Sequence, residues 1–370
     1  MKVLVTGGAG FIGSHTVDLL LAEGHAVRIL DSLAPPVHVD QQVPEYVPSS
    51  AELIIGDVRN RTTLEQALQG IDAVIHLAAY QDYLPDFAKF FHINTVGTAL
   101  LYELIVEKRL PIQKVVVASS QAVYGEGKYQ CTTHGVQYPG PRAEAQLQAG
   151  QWDPMCVECG GPLELMRTDE TVVNPHNQYA MSKYTQEMIA LNLGRRYQIP
   201  SVGLRFSITQ GPRQSYRNAY SGILRIFTMA LLHGDRPVAY EDGHQLRDYV
   251  YVGDVARAIN LVMHDARADY RAFNVGGATA VSVLDYAELV ARTTGSPLTP
   301  CVPGEYRFGD TRHIVSDIGQ LRQLGWEPAV SLPEIVAQYV AWAQSQPSFA
   351  NYYAEAMRVM KRLGTVRSIT

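Results

Sequence analysis

Residues 1–13 read MKVLVTGGAGFIG, an apolar strand that runs into a glycine-rich turn and then into an apolar helical segment. Gly7 permits a tight turn at the end of the strand, and Gly10 lets the backbone approach a pyrophosphate. Gly13 lets the helix lie close to the strand, with its N-terminus directed at the phosphates. Because strand, turn and helix follow in this order, the stretch predicts a dinucleotide-binding turn.

A second apolar strand, residues 26–30, ends in Asp31, which lies 18 residues after Gly13. A carboxylate at this distance can bind the 2′-hydroxyl of an adenosine ribose. No arginine follows closely, because the next residues are Ser32, Leu33 and Ala34. The pattern therefore favours NAD over NADP as the cofactor.

Composition and charge narrow the class of protein. The chain has 370 residues, of which 46% are hydrophobic and 18% charged, as in ordinary globular proteins. Its net charge of −5 argues against nucleic-acid binding. No apolar run is long enough for a membrane span, and Met1 and Lys2 lead directly into a strand rather than a signal peptide. We therefore expect a cytoplasmic protein, in which four cysteines would not form a disulfide framework.

Apolar strands alternate with helical segments through the first half of the chain. We expect strands at 3–7, 26–31, 51–57, 73–79, 114–120 and 201–206, and helices near 11–23, 62–69, 92–108 and 178–197. This alternation predicts an α/β fold with a Rossmann-type, doubly wound parallel sheet.

The remaining chain predicts a second, smaller unit. Residues 1–210 would form the NAD-binding Rossmann domain, interrupted by a polar insert at 126–170. Residues 211–350 would form mainly a smaller α/β substrate lobe, with short strands at 237–240 and 272–275 and helices near 216–233, 252–266, 282–294 and 331–345. Residues 351–370 would form a tail helix, either on the surface or at an oligomer contact.

Two segments carry the residues that we expect to perform the chemistry. Ser120 ends the fifth strand, at the edge of the sheet where ligands bind in this fold class. Tyr179 and Lys183 are four residues apart on a helix and therefore share one face. A lysine ammonium beside the phenol would lower the tyrosine pKa. Tyr179 is thus a candidate general base, which Ser120 would assist.

With these motifs the chain resembles the nucleotide-sugar epimerases and dehydratases of the extended short-chain dehydrogenase/reductase family. The matching segments are TGGAGFIG at 6–13, Gly56-Asp57-Val58, His76-Leu77-Ala78-Ala79, Asn94, SSQAVYG at 119–125, YAMSK at 179–183, RDYV at 247–250 and FNVG at 273–276. The resemblance implies that Tyr179 is the base, that Lys183 holds the nicotinamide ribose, that Ser120 assists and that Asp57 binds adenine. It implies cofactor contacts at Gly7, Gly10, Phe11, Ile12, Gly13, Asp31, Asp57, Val58, Leu77, Ala78, Ala79, Asn94, Tyr179 and Lys183.

The resemblance also suggests a branch of the family. The 4,6-dehydratases carry Asp-Glu after the catalytic serine or threonine, where this chain has Gln121-Ala122. GPRQ at 211–214, EDG at 241–243 and EYRFGDTRH at 305–313 look most like the dTDP-L-rhamnose 4-epimerase type, while UDP-hexose and UDP-uronate 4-epimerases stay open. The Phe-Asn that usually precedes the Gly-Pro-Arg turn is absent, which suggests an atypical sugar. The candidate substrate contacts are Gln121, Arg213, Arg247 and Arg312, of which Arg247 would meet the diphosphate.

The insert contains its own motif. Cys131 and His134 are followed, after 21 residues, by Cys156 and Cys159, with glycine next in the chain. Two such pairs match the spacing of a zinc ribbon, and four protein ligands would make the metal structural. The insert has few apolar residues for a core of its own, so that a zinc ion would supply the ordering energy.

We therefore expect an NAD-dependent 4-epimerase of nucleotide-diphosphate sugars that forms a homodimer and holds a structural zinc ion. An oxidoreductase, decarboxylase or dehydratase of the same family is an alternative. A non-enzymatic alternative is an NAD-bound sensor or scaffold that docks a partner through the insert; the intact set of Ser120, Tyr179 and Lys183 argues against it.

Overall fold

The computed structural model describes residues 1–82, 85–215, 222–346 and 352–369. The central sheet is parallel throughout, in the spatial order Arg271–Val275, Ser201–Phe206, Lys114–Ser120, Ala73–His76, Lys2–Thr6, Ala26–Asp31 and Glu52–Ile55. The strand order reverses between Lys2–Thr6 and Ala73–His76, which creates a crevice at their carboxyl ends. The predicted Rossmann-type sheet is thus confirmed.

Both faces of the sheet are covered, which explains why its inner strands are continuous apolar runs. Side chains alternate along a strand, so that Val3 and Val5 enter one hydrophobic cluster while Leu4 enters the other. The first cluster includes helices Phe11–Ala22 and Val252–His264, and the second includes Arg61–Leu68 and Gly97–Glu107.

Part of the segment 211–350, expected to form mainly the smaller lobe, belongs to the Rossmann layer. Arg271–Val275, which we assigned to the smaller lobe, pairs with Ser201–Phe206 as the last strand of the main sheet. Helix Val252–His264 packs on Phe11–Ala22, so the chain returns to the Rossmann layer after entering the smaller lobe. The strand expected at 237–240 is reduced to a single bridge between Val238 and Cys301. A short apolar run does not reveal which strand it will pair with, and for this reason its sheet could not be predicted.

The smaller lobe packs three helices around its own core: Ile223–Leu232, Val283–Thr294 and Leu332–Ser345. A small sheet of Ile208–Gln210, Leu246–Tyr251 and Ala280–Ser282 lies beside them. The first residues of the helix expected at 216–233 lie outside the described residues, since 216–221 are not described. The tail forms helix Tyr353–Arg362 and then a strand, Val366–Ser368, which pairs antiparallel with Glu305–Arg307.

The insert forms a three-stranded antiparallel sheet of Gly135–Gln137, Tyr129–Cys131 and Glu164–Leu165, with a short helix, Glu144–Gln148. The helix expected at 92–108 consists of Phe87–Phe90, a π-helical turn at Phe91–Val96, and Gly97–Glu107. The helix expected at 178–197 consists of Gln178–Met188, a π-helical turn at Ile189–Leu193, and Gly194–Tyr197. The shorter elements are the 3₁₀ turns Gln121–Tyr124 and Ala266–Ala268 and the helix Gly319–Arg322.

Among the described residues, no helix combines the length and the apolar character needed to cross a membrane.

Candidate active site

A cavity of about 1330 Å³ opens at the carboxyl edge of the main sheet and continues into the smaller lobe. At one end it is lined by the glycine-rich turn, and at the other by residues of the smaller lobe and of the tail strand, including Arg307 and Arg367. Pockets for single small ligands commonly have volumes of about 300–1,000 Å³. The space is therefore large enough for a dinucleotide and a second ligand side by side.

The backbone of the glycine-rich turn leaves no room for a side chain at Gly7 or at Gly13. Gly7 has a φ of +70°, and a Cβ atom there would lie 2.8 Å from the backbone nitrogen of Ala78. A Cβ atom on Gly13 would lie 2.1 Å from the carbonyl oxygen of Gly7, so that the helix could not approach the strand. Helix Phe11–Ala22 begins at this turn, and Gly10, Phe11, Ile12 and Gly13 line the cavity. The turn thus has the form that a bound pyrophosphate requires.

Two acidic side chains mark the outer part of the same end. The carboxylate of Asp31 lines the cavity and accepts hydrogen bonds from the amides of Ala9 (3.0 Å) and Leu33 (2.9 Å). Asp57 also lines the cavity, and its ion pair with Arg59 (2.6 Å) lowers the pKa of the carboxyl. Both carboxylates are therefore held in fixed orientations where the adenosine part of a dinucleotide would lie.

Of the remaining cofactor candidates, Val58, Leu77, Ala78 and Ala79 line the cavity, while Asn94 does not. The Asn94 side chain is fully buried behind the wall. It accepts a hydrogen bond from the backbone nitrogen of Tyr80 (2.7 Å) and donates to the Tyr80 carbonyl (3.0 Å) and to Ser182 Oγ (2.9 Å). Asn94 thus joins Tyr80, in the cavity wall, to the helix that carries Tyr179. The expected direct contact between Asn94 and the cofactor is not seen in the cavity lining.

The three residues expected to perform chemistry line one part of the cavity. Ser120 ends its strand, and its Oγ accepts a hydrogen bond from the amide of Ala122 (3.2 Å). Tyr179 lies in the first turn of helix Gln178–Met188, whose N-terminus is capped by Asn177 through the amide of Ala180 (2.9 Å). This cap fixes the start of the helix and therefore the direction in which Tyr179 and Lys183 leave it.

The Lys183 side chain is buried and held by two acceptors. Its Nζ donates to the carbonyl of Ala118 (2.8 Å) and to Gln186 Oε1 (3.0 Å). Burial lowers the pKa of the Lys183 ammonium to about 7. The side chain is thus positioned between the sheet and the helix, and its charge depends on what it contacts in the cavity.

Several buried polar atoms in the cavity wall have no hydrogen-bond partner among the described residues. They include Gln121 Oε1, His176 Nε2, Gln214 Oε1 and Gln245 Oε1. Burying such atoms without a partner is costly, and buried polar atoms in native proteins are nearly always paired. A ligand rich in hydroxyl groups would satisfy them, and Gln121 was expected to contact substrate.

Of the three arginines expected to contact substrate, only Arg247 lines the cavity. It donates to the carbonyls of Arg312 (2.7 Å) and Thr311 (2.8 Å). Arg213 instead forms an ion pair with Asp18 (2.7 Å) outside the cavity wall. Sequence reasoning missed Arg307, which lines the cavity with its guanidinium 5.0 Å from the ring centre of Tyr240. Arg307 lies five residues before Arg312 in the segment EYRFGDTRH, which resembles the family. Its place in that segment could have identified it as a candidate.

Arg312 is bound to carboxylates and does not line the cavity. It contacts Glu241 (2.8 Å), Asp242 (2.7 Å) and Asp153 (2.7 Å), and its side chain is almost fully buried. We call the cluster of Glu126, Arg142, Glu241 and Arg312 the clasp. In it, Arg142 binds Glu126 (3.1 Å) and Glu241 (2.9 Å), and Glu126 accepts the backbone amide of Arg312 (2.7 Å). The clasp joins the insert to the smaller lobe, so the expected substrate contact of Arg312 is corrected to a structural one.

Comparison with known proteins is consistent with this geometry. Residues 3–143 match the sequence family described as NAD dependent epimerase/dehydratase, and residues 159–339 match GDP-mannose 4,6 dehydratase. A dTDP-L-rhamnose 4-epimerase of Burkholderia thailandensis is 34% identical over 347 residues, 92% of this chain and 94% of that protein. The chain belongs to the NAD-dependent epimerase/dehydratase family.

Solved structures of other family members have the same fold. The UDP-glucose 4-epimerase of Thermotoga maritima with UDP-glucose has a TM-score of 0.76 at 28% identity, covering 93% of this chain and 99% of that one. The Thermus thermophilus UDP-glucose 4-epimerase in complex with NAD has a TM-score of 0.72 at 29% identity, with the same coverage. NAD binding, the epimerase class and the nucleotide-sugar character expected from the sequence are thus supported at the level of the family.

The two family matches leave residues 144–158 between them, within the insert. Within the insert the four predicted metal ligands come together, with their ligand atoms all within 4.8 Å of one another. Cys131 Sγ lies 3.9 Å from Cys159 Sγ and 3.6 Å from His134 Nδ1, and Cys156 Sγ lies 3.4 Å from His134 Nδ1. Backbone amides directed at the sulfurs lower the pKa of the Cys131 and Cys156 thiols. All four cysteines of the chain are free of disulfides.

Proposed function

We propose that this protein is an NAD-dependent 4-epimerase of a nucleoside-diphosphate sugar. The observation that carries the proposal is the single cavity lined by the glycine-rich turn, by Ser120, Tyr179 and Lys183, and by Arg247 and Arg307. This order would bring a dinucleotide, a reacting hydroxyl and a diphosphate into one space. The two arginines are suited to the diphosphate, because guanidinium groups bind phosphate oxygens in a bidentate manner.

In this proposal Tyr179 takes the proton of the sugar C4 hydroxyl and later returns it. When bound, NAD supplies a site that accepts a hydride from the sugar carbon and gives it back. Lys183 stabilises the phenolate form of Tyr179 electrostatically, and Ser120 binds the sugar oxygen. Gln121 Oε1 and His176 Nε2, which have no partner among the described residues, would bind hydroxyl groups of the sugar. They would do so while the sugar ring presents first one face and then the other to the nicotinamide.

The two residues that follow Ser120 favour epimerisation over dehydration. Water elimination needs an acid and a base beside the reacting carbons, whereas an amide, Gln121, and an apolar residue, Ala122, follow Ser120 in this chain. Gln121 can donate and accept hydrogen bonds but cannot transfer a proton at neutral pH.

The test is incubation of the purified protein with dTDP-L-rhamnose, UDP-glucose or UDP-glucuronic acid, followed by NMR of the sugar. We expect one of these compounds to be converted to its C4 epimer without net consumption of NAD. Stoichiometric formation of NADH would instead indicate an oxidoreductase, and release of carbon dioxide a decarboxylase. No reaction with any nucleotide sugar, in protein that binds NAD, would favour the sensor or scaffold.

We also propose that the insert holds one structural zinc ion through Cys131, His134, Cys156 and Cys159. For tetrahedral zinc with Zn–S bonds near 2.3 Å, sulfurs should lie about 3.8 Å apart, close to the distance between Cys131 and Cys159. His134 directs Nδ1 at the sulfurs, while its Nε2 lies 3.9 Å from a Glu158 carboxylate oxygen. An acidic partner on the outer nitrogen is typical of zinc-bound histidine.

Metal analysis of the purified protein tests the zinc site. We expect about one zinc ion per chain, and less than about a tenth of that in Cys156→Ser, because three protein ligands hold the ion far less tightly. Cys301→Ser is the matched control, since Cys301 lies outside the cluster, and it should keep its zinc. Wild-type protein that binds no zinc would overturn the proposal.

A homodimer is proposed from apolar side chains exposed on neighbouring helices. Val96, Met181 and Met188 are 47%, 43% and 38% exposed, and the segments that carry them pack side by side. Large apolar groups gathered on one face indicate a contact with another protein surface. Light scattering should show a dimer that Met181→Glu dissociates; a monomeric wild-type protein would contradict this.

A further inference from the structure

Three fully buried polar side chains, His76, Thr98 and Gln186, lie behind the cavity wall and have no part in the proposed chemistry. Each belongs to a different element: His76 ends a strand of the main sheet, Thr98 opens helix Gly97–Glu107, and Gln186 lies on the helix of Tyr179. Burying polar groups is unfavourable unless every donor and acceptor is satisfied. Their contacts therefore indicate what they are for.

The hydrogen bonds among these side chains have one consistent direction. Gln186 Oε1 accepts from Lys183 Nζ (3.0 Å), and its Nε2 donates to Thr98 Oγ1 (2.8 Å). The Thr98 hydroxyl donates its own hydrogen to the carbonyl of Asn94 (2.6 Å), so its oxygen can only accept from His76 Nε2 (3.0 Å). The hydrogen of His76 is therefore on Nε2.

The other ring nitrogen completes the series. His76 Nδ1 accepts from the hydroxyl of Thr6 (2.8 Å), whose oxygen accepts from the amide of Ala78 (3.2 Å). Burial lowers the pKa of His76 to about 3, so the ring stays neutral and keeps this pattern at physiological pH. The buried string of Lys183, Gln186, Thr98, His76 and Thr6 thus runs from the catalytic helix to the cofactor turn.

The string determines how Lys183 can be oriented. An ammonium has three donors in fixed tetrahedral directions. The carbonyl of Ala118 and the oxygen of Gln186 take two of them. The third is then directed away from both acceptors, toward the cavity that Lys183 lines. Gln186 cannot turn its amide over, because its NH₂ would then face the ammonium.

We propose that Gln186 is a positioning residue that acts through Lys183, holding the lysine so that one donor faces the nicotinamide ribose and Tyr179. This inference rests on the proposed function for the roles of Tyr179 and Lys183. It adds a residue that touches neither substrate nor cofactor and that no motif of the sequence indicated.

The experiment is a double-mutant cycle read by the dissociation constant for NAD. Gln186→Met keeps the volume and removes the acceptor, and we expect NAD to bind about tenfold more weakly. In a Lys183→Met background the same substitution should change NAD affinity little, because the group it positions is gone. Equal weakening in both backgrounds would overturn the proposal and leave Gln186 as a packing residue.

Two further variants separate positioning from folding. Gln186→Glu keeps an oxygen facing Lys183 but buries a carboxylate, so we expect a lower Tm than wild type together with near-normal NAD affinity. If NAD affinity instead followed Tm across the Met and Glu variants, the role would be structural. Thr185→Val is the control on the same helix, since Thr185 is half-buried and donates to the Met181 carbonyl rather than to any member of the string. NAD affinity is read without any sugar, so a failure to epimerise nucleotide sugars leaves this test intact.

Discussion

The buried string and the clasp both remove polar groups from water, but they do so in different ways. The string consists of one cation followed by neutral hydrogen bonds, each donor matched to one acceptor. The clasp consists of ion pairs, in which Arg142 and Arg312 face Glu126 and Glu241. Loss of one partner in the string leaves a neutral group unpaired, which costs about 1–3 kcal/mol. A buried ion pair that loses one charge leaves the other charge uncompensated, which costs more.

The difference has a functional meaning. The string lies beneath the residues that we expect to transfer a proton, where orientation matters more than strength. The clasp lies between the insert and segment 310–312, whose carbonyls hold Arg247, and the Arg142 guanidinium also donates to the Asp310 carbonyl (2.7 Å). Defects near the string should therefore affect chemistry and cofactor binding, and defects in the clasp should affect stability.

The largest expected effect is a loss of catalytic rate. Tyr179→Phe removes only the oxygen that transfers the proton, so epimerisation should fall by about 10²–10⁴-fold. NAD content and Tm should stay near the wild-type values, because the ring and its packing remain. NMR of the sugar measures turnover, and absorbance after denaturation measures the bound NAD. Near-normal turnover would show that Tyr179 is not the base.

The next largest effect is a loss of stability when the clasp is broken. Arg312→Met leaves the carboxylates of Glu241 and Asp242 with one arginine fewer, and the free energy of unfolding should fall by about 3–5 kcal/mol. Arg322→Met is the matched control, because Arg322 pairs with Glu327 on the surface, where such a pair contributes about 0–1 kcal/mol. Urea unfolding of the two variants measures the contrast. Similar losses in both would mean that the clasp behaves as an ordinary surface cluster.

The smallest effect concerns the pH dependence of stability at Lys183. Its pKa is lowered to about 7 in the folded protein, whereas an unfolded lysine titrates near 10.4. Between these values the unfolded chain binds more protons, so the lysine destabilises the fold most at low pH and less as pH rises. His76 remains neutral across this range.

The measurement compares Tyr179→Phe with Tyr179→Phe/Lys183→Met in nucleotide-free protein, so that Tyr179 does not titrate. From pH 7 to pH 9 the lysine-bearing protein should gain stability over its methionine partner by up to about 1.4 kcal/mol per pH unit. A difference that does not change with pH would show that Lys183 keeps its charge when buried.

Much of the fold was predictable because its signals are local. The glycine-rich turn directly follows the first apolar strand, and Asp31 directly ends the second. The facing of Tyr179 and Lys183 follows from the helical repeat alone. The approach of Cys131, His134, Cys156 and Cys159 was likewise predicted from spacing, and the structure brings them within 4.8 Å.

Only the tertiary structure decided which of several similar residues faces the cavity. Arg307 and Arg312 lie five residues apart, yet one lines the cavity and the other is surrounded by carboxylates. Arg213 finds its partner outside the cavity wall, and Asn94 is buried behind the wall, where it binds Tyr80 and Ser182. The membership of Arg271–Val275 in the main sheet and the link from Gln186 to His76 depend on neighbours that are distant in sequence. The physical reason is that a charged or hydrogen-bonding side chain is directed by the partners that folding brings within about 3 Å, and local pattern carries no record of them.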